Sequence, residues 1–305
     1  MSNLPTRPLL NVLWRRRTLD YLPEAYFILR VLLAGLGRPV RVIAVESLAE
    51  APFTDNLLVV SMLTEFGAYL AEARRRGKRN LILFHLGDEQ GDDDKGFYTA
   101  ADLVLRHYWI APVMAQPKVL WVPNGYAVGV GPVPQQTLIR SSQRTLPGFF
   151  EGALGMRVLS DQRRSMKAAV ERCALPFEMR YSASSRERLG RSTYAARLAN
   201  ARFALVPGGN SPETIRLYEA LENGAIPVML RSAFVDAPDA LNRPPFVLLD
   251  DWSELGPACA PYLDGSARAA AALDALQDEV LVWWERFRYV LQQRVRERID
   301  AVVAR

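Results

Sequence analysis

Cysteine is scarce in this chain of 305 residues: Cys173 and Cys259 are its only two, far apart in sequence. They lack the paired spacing and neighbouring histidines of a metal site, and two thiols cannot build a disulfide-dense scaffold. Free thiols in a reducing compartment are the expectation. Long apolar runs are missing too. The longest near the start, around residues 26–36, is too short and too interrupted to span a bilayer. Residues 5–14 show no basic start, apolar run and small-residue cleavage site of a secretory signal, so the chain reads as cytoplasmic. Strong charge is also absent, the net value being +5. The clusters at residues 15–17 and 74–79 are short, whereas a nucleic-acid binder concentrates its basic residues in a stripe beside aromatics. Solvated surface is the expected role of both, and no nucleic-acid partner is inferred.

What is present fits a two-domain globular protein. Half of the residues are hydrophobic, which is enough to fill sizeable cores and excludes a disordered chain. The length accommodates two domains of roughly 150 residues each. Strand-like and helix-like segments alternate, as in parallel sheets covered by helices. Buried strands are predicted at 9–14, 40–45, 56–61, 81–85, 103–106 and 118–122, with helices at 21–36 and 64–76. A Pro/Gly-rich stretch at 123–134 interrupts this pattern, and a first domain over 1–140 is expected. The alternation then resumes. A strand at 147–151 precedes a helix that Ser160 caps and that runs to Cys173, followed by a strand at 177–181 and a short helix at 194–200. Residues 202–206, 213–223 and 226–230 form a strand–helix–strand unit, and 246–249 is a last strand, giving a second domain over 141–275. Residues 273–303 read as helical with a break or bend. The portion 276–305 is expected to pack back on the first domain. The fold class is α/β, with two Rossmann-like doubly wound domains facing across a cleft lined by the carboxyl ends of their strands.

The strongest chemical signal is the run Arg202-Phe-Ala-Leu-Val-Pro-Gly-Gly-Asn-Ser-Pro-Glu-Thr-Ile-Arg-Leu-Tyr-Glu-Ala-Leu-Glu-Asn-Gly-Ala-Ile-Pro-Val-Met-Leu230. A buried strand leads into Pro207, Gly208 and Gly209, a turn that lets backbone approach a ligand. Asn210 or Ser211 caps the following helix, with Pro212 in its first turn. The N-terminus of that helix, around Thr214, offers free N–H groups and a positive dipole end to a diphosphate. Arg216 and Glu219 share one helix face, and the arginine fork suits phosphate oxygens while the carboxylate suits a ribose diol. The bland alternative, a solvated ion pair, is the commoner fate of Arg and Glu at this spacing. The strand–loop–helix–Gly–strand context favours the functional reading.

This segment resembles the donor-binding region of exostosin-like glycosyltransferases. There a strand, Pro-x-Gly, a Thr/Ser-x-x-Arg helix and Glu-Ala-Leu-x-x-Gly-x-Ile-Pro-Val follow in this order. The run from Gly209 to Ala220 is most similar to the ribitol-xylosyltransferase branch and its bacterial relatives. Phe149-Phe150-Glu151-Gly152 resembles the strand that opens the family's second domain, and Arg157 follows at a familiar distance. The resemblance covers residues 144–251 and is only one of layout in the first half. It implies a GT-B fold, a nucleotide-diphosphate sugar donor in the second domain, UDP-linked, and inversion at the anomeric carbon. The acceptor it implies is a glycan or lipid-linked glycan, as in making a bacterial surface polysaccharide. No cofactor beyond the donor itself is implied.

Inverting transfer needs a general base, which in this fold comes from the first domain. The loop His85-Leu-Gly-Asp88-Glu89 follows a buried strand. Asp88 or Glu89 is the expected base and His85 a base or donor ligand, although each also suits a structural strand end or a solvated turn. Glu65 is a weaker rival. Asp92-Asp93-Asp94 invites a metal reading, but three acids in a Gly-flanked loop are expected to face solvent, and an Arg with a helix end needs no metal charge. Residues 106–109 and 124–126 are polar and aromatic, suited to a sugar ring or to core packing. The basic aromatic residues 283–298 suit peripheral contact with the inner membrane face; bracing of the first domain is favoured instead. Competing functions are a nucleotide-sugar epimerase or hydrolase, and a non-catalytic nucleotide-sugar or glycan-binding protein.

Overall fold

The computed structural model describes residues 7–62, 65–155, 158–182 and 187–303, and of Glu65 the backbone alone. Arg157 lies outside the described residues, as does the side chain of Glu65. The chain divides into two compact units, residues 1–124 with 288–305, and residues 125–287.

The first unit is built on β1 (Leu10–Arg15), α1 (Arg16–Tyr21), β2 (Val40–Val45), β3 (Leu57–Ser61), α2 (Glu65–Arg75), β4 (Leu81–His85), β5 (Leu103–Arg106), α3 (Ala111–Met114) and β6 (Val119–Trp121). All six strands are parallel, in the order β2-β1-β3-β4-β5-β6. Every residue of β3, β4 and β5 is buried, which explains why each is apolar up to its polar last residue, Ser61, His85 or Arg106: both sheet faces are covered. On one face Leu13, Val59, Leu83 and Val104 pack against Phe66, Leu70 and Ala73 of α2. The helix predicted over 21–36 begins later, at residue 25, and runs through residue 36. Helix α1 is an additional element that ends at Tyr21, before Leu22, which is extended because it precedes Pro23, and the predicted stretch contains a π-helical segment at Phe27–Leu33.

The second unit contains β7 (Leu146–Gly152), α4 (Ser160–Cys173), β8 (Glu178–Tyr181), α5 (Arg191–Asn200), β9 (Ala201–Leu205), α6 (Ile215–Glu222), β10 (Ile226–Leu230), α7 (Ala233–Asp236), β11 (Val247–Leu249) and α8 (Leu255–Cys259). Its five parallel strands run β11-β10-β9-β7-β8. The chain leaves β7 for β8 on one side and returns to β9 on the other, so the strand order reverses between β7 and β9. The crevice at such a reversal, outside the carboxyl ends of the strands, is where open α/β sheets bind ligands.

The Pro/Gly-rich stretch belongs to this second unit because it packs on α6. Val133 N donates to Glu222 Oε1 at 3.0 Å, and Asn223 Nδ2 donates to Val130 O at 3.1 Å. The last helix, α9 (Ala267–Val303), is a single element of 37 residues. The expected break does not occur, since that span holds neither proline nor glycine. Its aromatic residues are largely internal to the second unit: Trp284 is buried and donates to Glu222 Oε2 at 2.9 Å, and Trp283 stacks on Phe287. Further along, Gln292 Nε2 donates to Val31 O at 3.0 Å within the first unit. No helix among the described residues is long and apolar enough to cross a membrane.

A buried guanidinium ties the second unit together. Arg144 donates to the carbonyls of Ile139 (3.0 Å), Ala201 (2.9 Å) and Asn223 (3.0 Å), with a longer bond to Leu198. Leu198, Ala201 and Asn223 stand at the carboxyl ends of α5 and α6, where a positive charge suits the helix dipole. Burial pulls its pKa down to about 10, so it stays charged at neutral pH. Replacing Arg144 with Met is expected to cost about 3 kcal/mol, because several buried carbonyls lose their donor at once. Urea unfolding measures this, and a loss near zero would show that the four bonds are not structural.

Candidate functional site

Strand β9 leads through residues 206–214 into α6. Thr214 is the N-cap of that helix, extended at φ −137° and ψ 150°. It does not cap the helix with its own side chain. Its Oγ1 is buried without a hydrogen-bond partner, and the residue is only 8% exposed. Leu217 N already donates to Thr214 O at 3.1 Å, and the first-turn N–H groups before it sit at the positive end of the dipole, so an unused hydroxyl and those donors converge there.

Arg216 is the second residue of α6 and lies across the carboxyl end of β7. Its Nε donates to the carbonyl of Glu151 at 2.7 Å, and its guanidinium carbon is 5.6 Å from the centroid of the Phe150 ring. Gly152 makes this approach possible, since a Cβ there would fall 2.7 Å from Nη2. With Nε fixed on a carbonyl, the fork is oriented while neither terminal nitrogen is in an ion pair among the described residues. One turn on, Glu219 is 5% exposed and accepts a hydrogen bond from Tyr194 Oη at 3.0 Å. Burial raises its carboxyl pKa against the opposing pull of Arg216, the Tyr194 hydroxyl and the Ala127 N–H. Burial, with Glu219 second, pushes the Tyr194 phenol well above its ordinary value.

The Gly208–Gly209 turn serves a purpose other than the one its composition suggests. Gly208 N donates to Gln162 Oε1 at 2.9 Å, and a Cβ at Gly208 would lie 2.6 Å from Leu159 Cδ1. Gly209 N is taken by Ser211 O at 2.9 Å, and Gly209 O accepts from Leu159 N at 2.8 Å. The pair of glycines therefore admits the first turn of α4, and their own N–H groups are already used. Asn210 and Ser211, the expected caps, are corrected to Thr214. Ser211 Oγ accepts from Glu213 N at 3.2 Å and Asn210 Oδ1 from Val158 N at 3.4 Å, so both hold the loop. Pro212 precedes the helix instead of entering it.

Arg163 was not singled out by residue pattern. It is buried, donating from Nε to Gly208 O (2.9 Å) and from Nη1 to Ala153 O (2.7 Å), and so joins the loop to the end of β7. Its neighbour Arg164 pairs with Asp161 on the exposed face. Helix phase distinguishes the two, and the phase of an arginine pair is not marked locally.

In the first unit the loop after β4 is an ordered polar network. His85 Nδ1 is 2.8 Å from Tyr98 Oη and His85 Nε2 is 3.1 Å from Asp93 Oδ2. Arg106 donates to Tyr98 Oη at 3.3 Å, which leaves the phenolic hydrogen for Nδ1 and assigns the imidazole hydrogen to Nε2, facing Asp93. Burial and then the Arg106 charge lower the pKa of His85. Asp88 accepts from Lys95 Nζ (2.8 Å), Arg106 Nη1 (3.0 Å) and Asp93 N (2.9 Å), with its side chain fully covered. Burial opposes its ionisation, but the Lys95 and Asp93 hydrogen bonds and the Arg106 charge hold its carboxyl below the usual range.

These contacts separate the three expected acid–base residues by how far their hydrogen-bonding atoms are engaged. Both nitrogens of His85 are engaged, and both carboxylate oxygens of Asp88 accept from donors. Glu89 differs: it is half-buried, and no hydrogen bond or ion pair holds its carboxylate among the described residues. His85, Asp88 and Asp93 bring ligand-type atoms within 4.8 Å of one another. Lys95 and Arg106 already supply positive charge to that cluster. Asp92 and Asp94 are exposed, and Asp94 accepts from Gly96 N at 2.7 Å. His107 is core: its ring meets Phe84 edge-on, and burial followed by His85 and Arg106 pushes its pKa down to about 3. Trp121 and Tyr126 are buried as well.

Comparison with known proteins agrees with this layout. Residues 100–256 match the family described as the Exostosin GT47 domain. Among solved structures, a DNA-modifying β-glucosyltransferase studied with uridine diphosphoglucose is similar over 96% of this chain and 98% of its own, with a TM-score of 0.56 at 14% identity. AviGT4, a glycosyltransferase involved in avilamycin A biosynthesis, is similar over 97% and 98%, with a TM-score of 0.51 at 13% identity. Both are GT-B glycosyltransferases, and at such identities the likeness is one of fold. No curated protein sequence matches the chain.

The raised pKa of Glu219 gives a pH-dependent expectation. Folding favours its protonated form, so the ionised form is destabilising once pH rises through the raised value, and the penalty is absent below the ordinary carboxyl value of 4.5. Glu219→Gln should therefore raise Tm at neutral pH and change it little near pH 4. Equal shifts at both pH values would contradict a buried ionised carboxylate.

Proposed function

From the premise that the chain belongs to the exostosin GT47 family, we propose that it moves a sugar from a nucleoside-diphosphate donor, UDP-linked, to a glycan acceptor, with inversion and without a metal. The observation that carries this reading is the half-free Arg216 fork beside the first turn of α6 and the unpaired Thr214 hydroxyl. All three present donors, and no carboxylate pairs with the terminal nitrogens. The fit is to a diphosphate. A guanidinium and a helix end supply the charge stabilisation that a leaving diphosphate requires, which is the physical reason for assigning no metal.

In this assignment Arg216 and the first-turn N–H groups hold the diphosphate. Thr214 donates to a phosphate oxygen. Asn210, Ser211, Gly208 and Gly209 keep the loop in shape, and Arg163 anchors it. Glu219 accepts from a ribose hydroxyl with the lone pairs that Tyr194 leaves unused. Glu89 is assigned as the base: it takes the proton of the acceptor hydroxyl, whose oxygen attacks the anomeric carbon as the bond to the diphosphate oxygen breaks. Asp88 and His85 become positioning residues that keep this loop rigid. The finer assignment, to the ribitol-xylosyltransferase branch and its bacterial relatives acting on a surface or lipid-linked glycan in the cytoplasm, rests on the run from Gly209 to Ala220.

Calorimetry with UDP, GDP and CMP tests the donor site. UDP should bind in EDTA, and Arg216→Ala should weaken it about 100-fold, the worth of a charge-assisted fork. Absence of nucleotide-diphosphate binding, or an unaffected Arg216→Ala, would sink the assignment. Once a donor and acceptor are in hand, Glu89→Gln should leave UDP affinity unchanged while lowering kcat by about 100-fold or more. Donor turnover without acceptor would favour a hydrolase or epimerase, and binding with no product under any acceptor a non-catalytic role.

A further inference from the structure

A second site lies in the first unit, away from the loop that carries Glu89. The π-helical segment Phe27–Leu33 crosses the edge strand β2, leaving a groove of about 340 Å³. Leu29, Leu33, Val40 and Val42 form its apolar walls, and Arg30 and Arg38 also line it. Val40 is the first residue of β2, so the groove opens at the amino end of the parallel sheet. Glu89 follows β4 at the carboxyl end.

Arg38 is the informative residue. Its side chain is 2% exposed, and its Nη2 is bound to Asp300. Its Nε and Nη1 are buried without a hydrogen-bond partner. Guanidinium donors are rarely left this way, because an unmet buried donor loses its hydration and gains nothing in return. Positive charge is also in excess. Asp300 is shared by Arg38, by Arg7 at 3.2 Å and by Arg296 at 3.9 Å, and Arg30 is exposed with no ion pair among the described residues. Large apolar side chains are left open beside this charge: Val42 is 43% exposed, and Leu9, next to the Leu10–Pro39 hydrogen bond, is 39% exposed.

We propose that this groove docks the protein on an anionic phospholipid surface. The phosphate of one lipid meets Arg30 and Arg38, and its upper acyl chain lies along Leu29, Leu33 and Val42. A free phosphate would satisfy the guanidinium donors but leave the apolar walls without a function. A neutral apolar partner would leave the arginines unmet. A lipid carries both parts, and exposed apolar residues beside guanidinium groups are the usual makings of an interfacial contact.

Flotation of the full chain with vesicles tests this. Binding to phosphatidylcholine vesicles containing about 30% phosphatidylglycerol should exceed binding to pure phosphatidylcholine by about tenfold or more at ~0.1 M salt. Arg30→Glu with Val42→Asp should lower the anionic-vesicle partition about tenfold, roughly the effect of the lost charges near the surface. Because both residues are exposed or half-open, Tm and UDP affinity serve as controls and should not change. Arg286→Glu with Tyr289→Ser, on the exposed side of α9, should leave the partition within about twofold, since that helix lies outside the groove. Four results would each overturn the proposal: no flotation, equal flotation on neutral vesicles, loss only in the α9 variant, or displacement by millimolar inorganic phosphate, which would mark a soluble-anion site.

Discussion

The second unit turns on a guanidinium resting against a backbone carbonyl across a glycine. Arg216 donates to Glu151 O beside Gly152, where a Cβ would fall 2.7 Å from Nη2, and the bond orients its fork near the carboxyl end of β7, beside the point where the sheet reverses strand order. Other features of the unit answer to this geometry. Gly208 lets Leu159 and Gln162 at the start of α4 approach the turn, and Arg163 ties that turn to Ala153, just past the end of the same strand. The helix that carries Arg216 is secured at its far end by Arg144, which binds the carbonyl of Asn223. Displacement of any of these parts would move the fork relative to the first turn of α6.

Arginine performs three distinct tasks here, separated by what surrounds the guanidinium. Arg144 is buried among carbonyls, where its donors meet the carboxyl ends of α5 and α6. Arg106 is buried beside a carboxylate and a phenol, and it organises the loop after β4 by holding Asp88 and fixing the tautomer of His85. Arg216 and Arg38 are each held by one nitrogen, leaving others unengaged. A guanidinium with part of its fork unused is the physical mark of an anion site, and both the donor-site assignment and the lipid-docking proposal rest on it.

Much of the architecture was legible in residue order. Strands such as Leu81–His85 and Ile226–Leu230 fall where apolar runs were read, because a strand covered on both faces is apolar along most of its length. The candidate donor segment was legible for a related reason: strand, turn, helix and strand are contiguous, so their order in the chain is their order in space. Errors of detail arose around Pro23, where the predicted helix starts several residues late and the short helix before it was not expected, and at Thr214, which displaced Asn210 and Ser211 as the cap.

Residue order alone thus specified two parallel α/β units, the stretch that carries Arg216 and Glu219, and the polar loop that follows β4. It was silent on which members of that loop are free. His85, Asp88 and Glu89 are near neighbours in the chain with similar chemistry, and they separate only when Tyr98, Lys95 and Arg106 arrive from other segments to engage the first two. The same holds for Arg163 against Arg164, and for the unpaired nitrogens of Arg38. Local pattern records what kind of group stands at each position. Whether its hydrogen-bonding capacity is already spent depends on distant residues brought to within 3 Å or so, and only packing supplies that.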